Sequence, residues 1–547
     1  MLRSILLPVT IVGVAAVVGL ALPDTASIHF AYKPIAFQLE NGETSRRYAP
    51  ETMAGGVAVF DYDNDGDLDI FFTNGADILT LQKANPKYSN RLFANDGKGN
   101  FTDVTAKAGL AGTGFDVGVA VADYDNDGFQ DIFVGGVHRN TLYHNNGDGT
   151  FTDVTAKAGI PGEGTNWSVG GAWLDFNNDG LLDLFIANYM LWDKDTEPLC
   201  QAEGHAEYCH PRLYKPLTNQ LFLNNGNGTF RDASAETGVG AHAGKAMGAA
   251  VADYDGDGWP DIFITNDKLY NFLFHNLGGK KVEEVGFEKG VGLAEDGNPV
   301  SGMGADFRDV DNDGLPDITF VALENETFPL FRNTGKGTFR DVTANSGMSA
   351  LSRPMAGYGV GIYDLDNDGW KDIFVTRGHV QSPLMRRRYM IDQNNSVFRN
   401  YSGTRFKALT AEAGLDGAPP KRHRGSGWGD FNGDGRIDVA VSALGAQAEI
   451  WMNDSPGTNH WIEIKLEGTK SNRDGIGAKV KVVTKQGTQY NHATTSVGYA
   501  SSSAGPVHFG LGSEKTAILI EIRWPSGTVQ RLVNVDGDKV LPVKETR

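Results

Sequence analysis

The residues with the most chemical potential stand in a nine-residue phrase, DYDNDGDLD, at 61–69. Five carboxylates fall within it: Asp61, Asp63, Asp65, Asp67 and Asp69. Such a cluster repels itself unless a cation or a proton neutralises it. It suits acid–base catalysis, a lone calcium loop, or a structural cation clamp. The phrase recurs six more times, at 123–131, 175–183, 253–261, 309–317, 364–372 and 430–438. Positions 1, 3 and 5 are Asp or Asn in every copy, position 6 is always Gly and position 9 always Asp. Calcium takes about six to eight hard oxygens at flexible distances. Side chains 1, 3 and 5 of a tight turn converge on one point, Gly at 6 allows the bend, and position 9 closes the shell. Position 7 offers a backbone carbonyl, so its side chain is free to vary.

The expected ligands are therefore Asp61, Asp63, Asp65, Asp67 and Asp69, then Asp123, Asp125, Asp127, Phe129 and Asp131. The third and fourth loops supply Asp175, Asn177, Asp179, Leu181 and Asp183, and Asp253, Asp255, Asp257, Trp259 and Asp261. The fifth and sixth supply Asp309, Asp311, Asp313, Leu315 and Asp317, and Asp364, Asp366, Asp368, Trp370 and Asp372. The last supplies Asp430, Asn432, Asp434, Arg436 and Asp438. An EF-hand would place Glu at position 12 between helices, whereas position 9 here leads straight into an apolar strand. The reading is about seven Ca2+ ions, one per loop. Magnesium, which demands a stricter octahedron, suits so many carboxylates less well. Seven equivalent sites do not make one active centre.

The flanks show what positions the loops. Each is followed by a short apolar strand, such as IFFTNG or IFVGGV, and then by a second phrase of the type LFANDGKGNFTDVT. That phrase reads as strand, Asn/Gly turn, strand. A glycine stands five residues before every loop: Gly56, Gly118, Gly170, Gly248, Gly304, Gly359 and Gly425. Glycine inside a strand marks close backbone approach, as strands crowded round an axis require. The fold class is all-β: a seven-bladed β-propeller over 27–458, then a small β-sandwich-like domain over 459–547. A linear solenoid is the alternative that the inner glycines disfavour. The last repeat lacks an outer strand, which SIHFAYKP near the N-terminus is expected to supply.

Residues 1–26 read as a secretory signal, with an uncleaved membrane anchor as the rival. The expected location is therefore exported: periplasmic, cell-surface or extracellular. Two cysteines, Cys200 and Cys209, stand in one loop. An oxidising compartment favours a disulfide there over a metal site with His205 and His210. The net charge of −19 argues against nucleic acid. The chain is read as a monomer, touching membrane only through an uncleaved anchor.

The seven loops, with LFxNxGxGxFxDVT, resemble FG-GAP/VCBS repeats as in integrin α-subunit propellers. The tail phrases DGIGAKVKVVTKQG, PVHFGLG and IEIRWPSGTVQ resemble the ASPIC/UnbV domain. Together they resemble the cartilage acidic protein family. That resemblance implies an exported calcium-binding propeller and little about activity.

If the Asp loops share one face, the segments before the first and after the second strand of each repeat meet on the other. Those segments are basic: Arg46, Arg47, Arg139, Lys245, Arg377, His379, Arg386, Arg387, Arg388, Arg422, His423 and Arg424. They suggest a face for an anionic surface polymer, glycan or protein partner. The plainer alternative is that they balance nearby acids. Asp306 and Arg308, two apart on one strand, are expected to pair structurally. Function reads as a binding or adhesion module. The alternative is a biosynthetic or polysaccharide-acting enzyme with an axial active site, its catalytic residues unassigned.

Overall fold

The computed structural model describes residues 28–547. The signal or anchor expected over 1–26 lies outside the described residues. Each acidic loop joins two antiparallel strands, and the second phrase adds two more, so the chain builds successive four-stranded sheets. The innermost strands are Val57–Phe60, Phe115–Ala122, Glu163–Leu174, Ala246–Ala252, Ala305–Arg308, Gly357–Tyr363 and His423–Gly429. In the second sheet the middle two strands run on as one long strand, Asp131–Asn145, which also pairs with the third sheet at Val137↔Trp167. The innermost strands touch one another in chain order, and His423–Gly429 returns to Val57–Phe60, so the set is a closed ring.

Closure is carried by the N-terminal strand Phe30–Gln38, which pairs antiparallel with Gln447–Asn453 as the outer strand of the last sheet. Its alternating pattern is the reason: Phe30 is buried against Phe374, while Ala31 faces solvent.

The inner glycines answer to crowding. A Cβ on Gly118 would lie 1.8 Å from the Val169 carbonyl oxygen of the next sheet. At Gly304 it would meet the Tyr358 oxygen at 2.5 Å and the Gly498 carbonyl carbon at 2.6 Å. The second contact comes from the tail. Two tail sheets pack on a shared core that includes Ile462, Val480, Phe509, Ile520 and Trp524. From between them the segment 494–504 leaves its own domain and runs into the centre of the ring. Ser502–Ser503 pairs parallel with the first inner strand. The Ala500 oxygen accepts from Val119 N, and the Ser503 hydroxyl from Trp428 N. Inner strands of a ring carry unpaired backbone groups along their exposed edge, and this segment satisfies several of them. The plug was not foreseen from the sequence.

The opposite end is covered by the long insertion after the third sheet's second strand. Cys200 and Cys209 form a disulfide within it. Glu197 accepts from Ala49 N and the Tyr214 hydroxyl, Tyr208 donates to Glu51, and Glu207 takes the Ser382 hydroxyl. The insertion thus ties three sheets together.

Truncating the closing strand at its buried anchor, Phe30→Ala, is expected to cost about 3–5 kcal/mol in a denaturant titration. An unchanged midpoint would show that the ring does not depend on this strand.

Candidate functional site

The seven acidic loops share one hydrogen-bond scheme. The position-1 Asp accepts from the position-6 glycine amide, as Gly128 N does to Asp123 Oδ2 at 2.8 Å. The position-5 Asp accepts from the position-7 amide, as Phe129 N does to Asp127 Oδ1 at 2.8 Å. These bonds fold the loop so that the remaining carboxylate oxygens turn inward. In at least three loops, oxygens of positions 1, 3 and 9 lie within 4.8 Å of one another: Asp61, Asp63 and Asp69; Asp123, Asp125 and Asp131; Asp253, Asp255 and Asp261.

Position 9 carries a second duty. Asp131 Oδ2 accepts from Tyr124 N and its Oδ1 from Asn145 N, at 3.2 and 2.8 Å. The Asn145 amide donates to Gln130 O in its own sheet and to Tyr62 O in the preceding one. The same latch recurs at Asn95, Asn224, Asn276, Asn333, Asn400 and Asn453. Asn95 reaches Phe431 O of the last sheet, so the chain of latches closes on itself.

Sequence reading passed over position 4. It is Asn in five loops and Gly256 or Gly433 in the other two. Asn64, Asn126, Asn178, Asn312 and Asn367 each donate to the position-6 glycine carbonyl of the next loop. All five have positive φ, a conformation Asn tolerates better than most residues. The missed signal was the alternation of Asn and Gly, the two residues suited to that backbone.

The electrostatics fit a cation. Burial raises the carboxyl groups of Asp69 and Asp123 to about 8, and those of Asp131 and Asp261 to about 7. Asp61 is buried with one carboxylate oxygen, Oδ1, that no hydrogen bond satisfies. A dication would neutralise these groups and fill that oxygen's valence. The residues present can therefore hold a hard metal ion. Two loops add an imidazole: His144 Nδ1 lies 3.4 Å from Asp125 Oδ2, and His275 Nδ1 lies 3.7 Å from Asp255 Oδ2.

The tail domain sits over this loop face. Lys465 Nζ reaches Asp61 Oδ2 at 3.3 Å, Lys479 Nζ reaches Asp253 Oδ2 at 2.7 Å, and Asp474 accepts from Asp123 N. Between ring and tail lies a cavity of about 550 Å³, lined by Asp253, Lys479, Tyr490, His492, Arg523 and Trp524 among others. The Asp306–Arg308 pair is buried, with Nε 3.2 Å from Oδ1. Arg308 also reaches the tail through Asn491, so the pair is structural, joining ring to tail.

The expected basic face is largely committed to internal partners. Arg47 and Arg422 both bond Glu43, Arg139 meets Glu163 and Asp153, and His423 meets Glu449. Arg46 donates to the Glu197 carbonyl and buried Lys245 to Pro211 O. Arg377 is buried on Gln393 and Ser396, and burial lowers it to about 10. His379 is buried against Tyr389, and burial lowers it to about 4. Arg424 is fully buried, donates to Thr52 O, and lies 3.7 Å over the Tyr358 ring. Arg386 pairs with Asp392, while Arg387 and Arg388 are exposed.

Fold and site define a β-propeller of acidic-loop repeats capped by a small β domain. The chain belongs to the FG-GAP-like repeat family, which matches residues 74–134, 123–186, 214–264, 253–320 and 309–375. An ASPIC and UnbV domain matches 468–547. Cartilage acidic protein 1 of Homo sapiens is 25% identical over 497 residues, covering 87% of this chain and 70% of that protein. The Mus musculus protein of the same name is 25% identical over 498 residues, covering 87% and 71%. Among solved structures, an Agrocybe aegerita lectin recognising non-reducing terminal N-acetylglucosamine aligns at TM-score 0.39 and 17% identity. It covers 72% of this chain and 87% of its own. Bacillus licheniformis rhamnogalacturonan lyase PL11 aligns at 0.35 and 14%, covering 78% and 75%.

Two expectations follow. In the metal-free protein, Asp69 titrates near 8 against an ordinary 3.8. The folded state then holds more protons than the unfolded chain between those values, so stability falls as pH rises through that window. Melting in EDTA should give a lower midpoint at pH 8 than at pH 5, and calcium should restore more at pH 8. A midpoint that rises with pH would contradict the scheme. Separately, Asn145→Ala leaves two carbonyls unsatisfied and should cost about 2–4 kcal/mol, read by chemical denaturation.

Proposed function

We propose that this chain is an exported, calcium-loaded propeller that acts as a rigid binding or adhesion scaffold. The observation that carries the reading is the set of buried, cation-seeking carboxylates repeated round a closed ring. Ions in those loops stiffen the hairpins that hold them, and binding only to the folded state adds stability. The resemblance to cartilage acidic protein supports an exported setting, as does the disulfide. Among the described residues no helix is long and apolar enough to cross a membrane. An axial enzyme site would need room that the 494–504 segment and the disulfide-bearing insertion fill, so the scaffold reading is preferred.

Partner contact is assigned to the loop 383–390. It exposes Leu384, Arg386, Arg387, Arg388 and Met390, and it rests on the insertion through Ser382 and Glu207. Exposed guanidinium groups beside apolar side chains suit an anionic partner with some apolar surface. Sulfated and uronic-acid polysaccharides are the first probes. Reversing Arg386, Arg387 and Arg388 to Glu in the full chain should weaken binding at least about tenfold, a loss of about 1.4 kcal/mol. Unchanged binding would sink this assignment of the contact surface.

A further inference from the structure

The seven loops are alike in backbone but differ in what faces them. The residue just before each latch asparagine occupies one register position on the third strand. It is Ala94, His144, Leu223, His275, Arg332, Arg399 and Met452 in turn. In the fifth and sixth loops it is arginine, and the guanidinium lies on the carboxylates expected to hold the ion. Arg332 Nη2 is 2.7 Å from Asp311 Oδ2 and also bonds the Gly403 carbonyl. Arg399 Nη2 is 2.8 Å from Asp366 Oδ2 and 3.4 Å from Asp368 Oδ2. Asp311, Asp366 and Asp368 stand at positions 3 and 5, the side chains that would otherwise converge on a metal.

We propose that Arg332 and Arg399 are built-in cations that take the place of calcium in the fifth and sixth loops. The full-length chain then binds no more than five calcium ions. This rests on the calcium reading of the other loops and corrects the expected complement of seven. Sterics and charge both support it. Arg399 lies on two ligand carboxylates and Arg332 on one, so each guanidinium crowds the space of the ion, and its positive charge repels a second cation. Both arginines are mostly buried, at 19% and 10% side-chain exposure, so they are held in place.

The other Arg and Lys side chains that meet loop carboxylates are more exposed. Arg436 is 31% exposed and meets position 5 of its own loop, through Asp434. Lys465 and Lys479 are 54% and 40% exposed and meet only position 1. These side chains can swing aside for an ion. His144 and His275 present a nitrogen that can itself ligate a metal.

The test is a calcium count on the full chain by equilibrium dialysis and elemental analysis, with circular dichroism as the check on folding. The expected result is five ions or fewer on the wild type. Arg332→Ala and Arg399→Ala should each gain one ion, and Arg340→Ala, on an outer strand, none. Ala94→Arg should lose one, which keeps the test open should an arginine variant not fold. Six or seven ions on the wild type would overturn this inference alone. Unaltered counts in folded arginine variants would overturn it too. No ions at all would overturn it together with the calcium reading.

Discussion

The ring depends on one repeated interaction, the bond between the position-9 aspartate and the asparagine of the third strand. A carboxylate buried without partners is expensive. Here both oxygens of Asp131 accept backbone amides, and the asparagine that supplies one of them spends its own side chain on the neighbouring sheet. Each latch therefore fixes a loop, a hairpin and an inter-sheet contact together. Because Asn95 reaches Phe431, the arrangement has no free end. Position 4 adds a second, looser belt from loop to loop, broken where Gly256 and Gly433 lack a side chain to donate.

This geometry leaves little space at the axis, and the molecule uses what remains for itself. The 494–504 segment meets inner-strand amides that would otherwise be unpaired. Tyr499 donates to Met53 O and packs edge-on to Tyr358, which lies beneath the Arg424 guanidinium. The aromatic face and the carbonyls of Thr52 and His423 offset a buried positive charge that makes no salt bridge among the described residues. The tail domain is therefore part of the ring's core as well as a cap over its loops.

Much of this was legible in the sequence. The acidic phrase, its Gly at position 6 and the glycine five residues upstream each encode a local backbone demand, so they repeat wherever the demand repeats. The closing strand was visible because the last repeat lacked its outer strand while residues near the N-terminus alternated like one. That most cations of the expected basic face are committed to internal partners was not legible, for a physical reason. Arg422 and Glu43 are 379 residues apart in sequence yet bond each other. Chain order gives no hint of which distant acid will neutralise a cation. The plug escaped because Ser, Gly, Ala and Tyr carry no periodic apolar signal; its bonds are made by backbone and hydroxyl groups to strands more than 300 residues away in several cases.

The sequence by itself determined the repeat, the hairpin built on each acidic loop, and the oxygen-rich chemistry of those loops. These follow from local backbone geometry and from side-chain types at fixed spacing. Tertiary structure alone decided which cations are already spent on internal acids, which loops have an arginine on their carboxylates, and that the tail fills the axis. Those outcomes depend on which distant residues the closed ring brings within bonding distance, and local spacing does not contain that information.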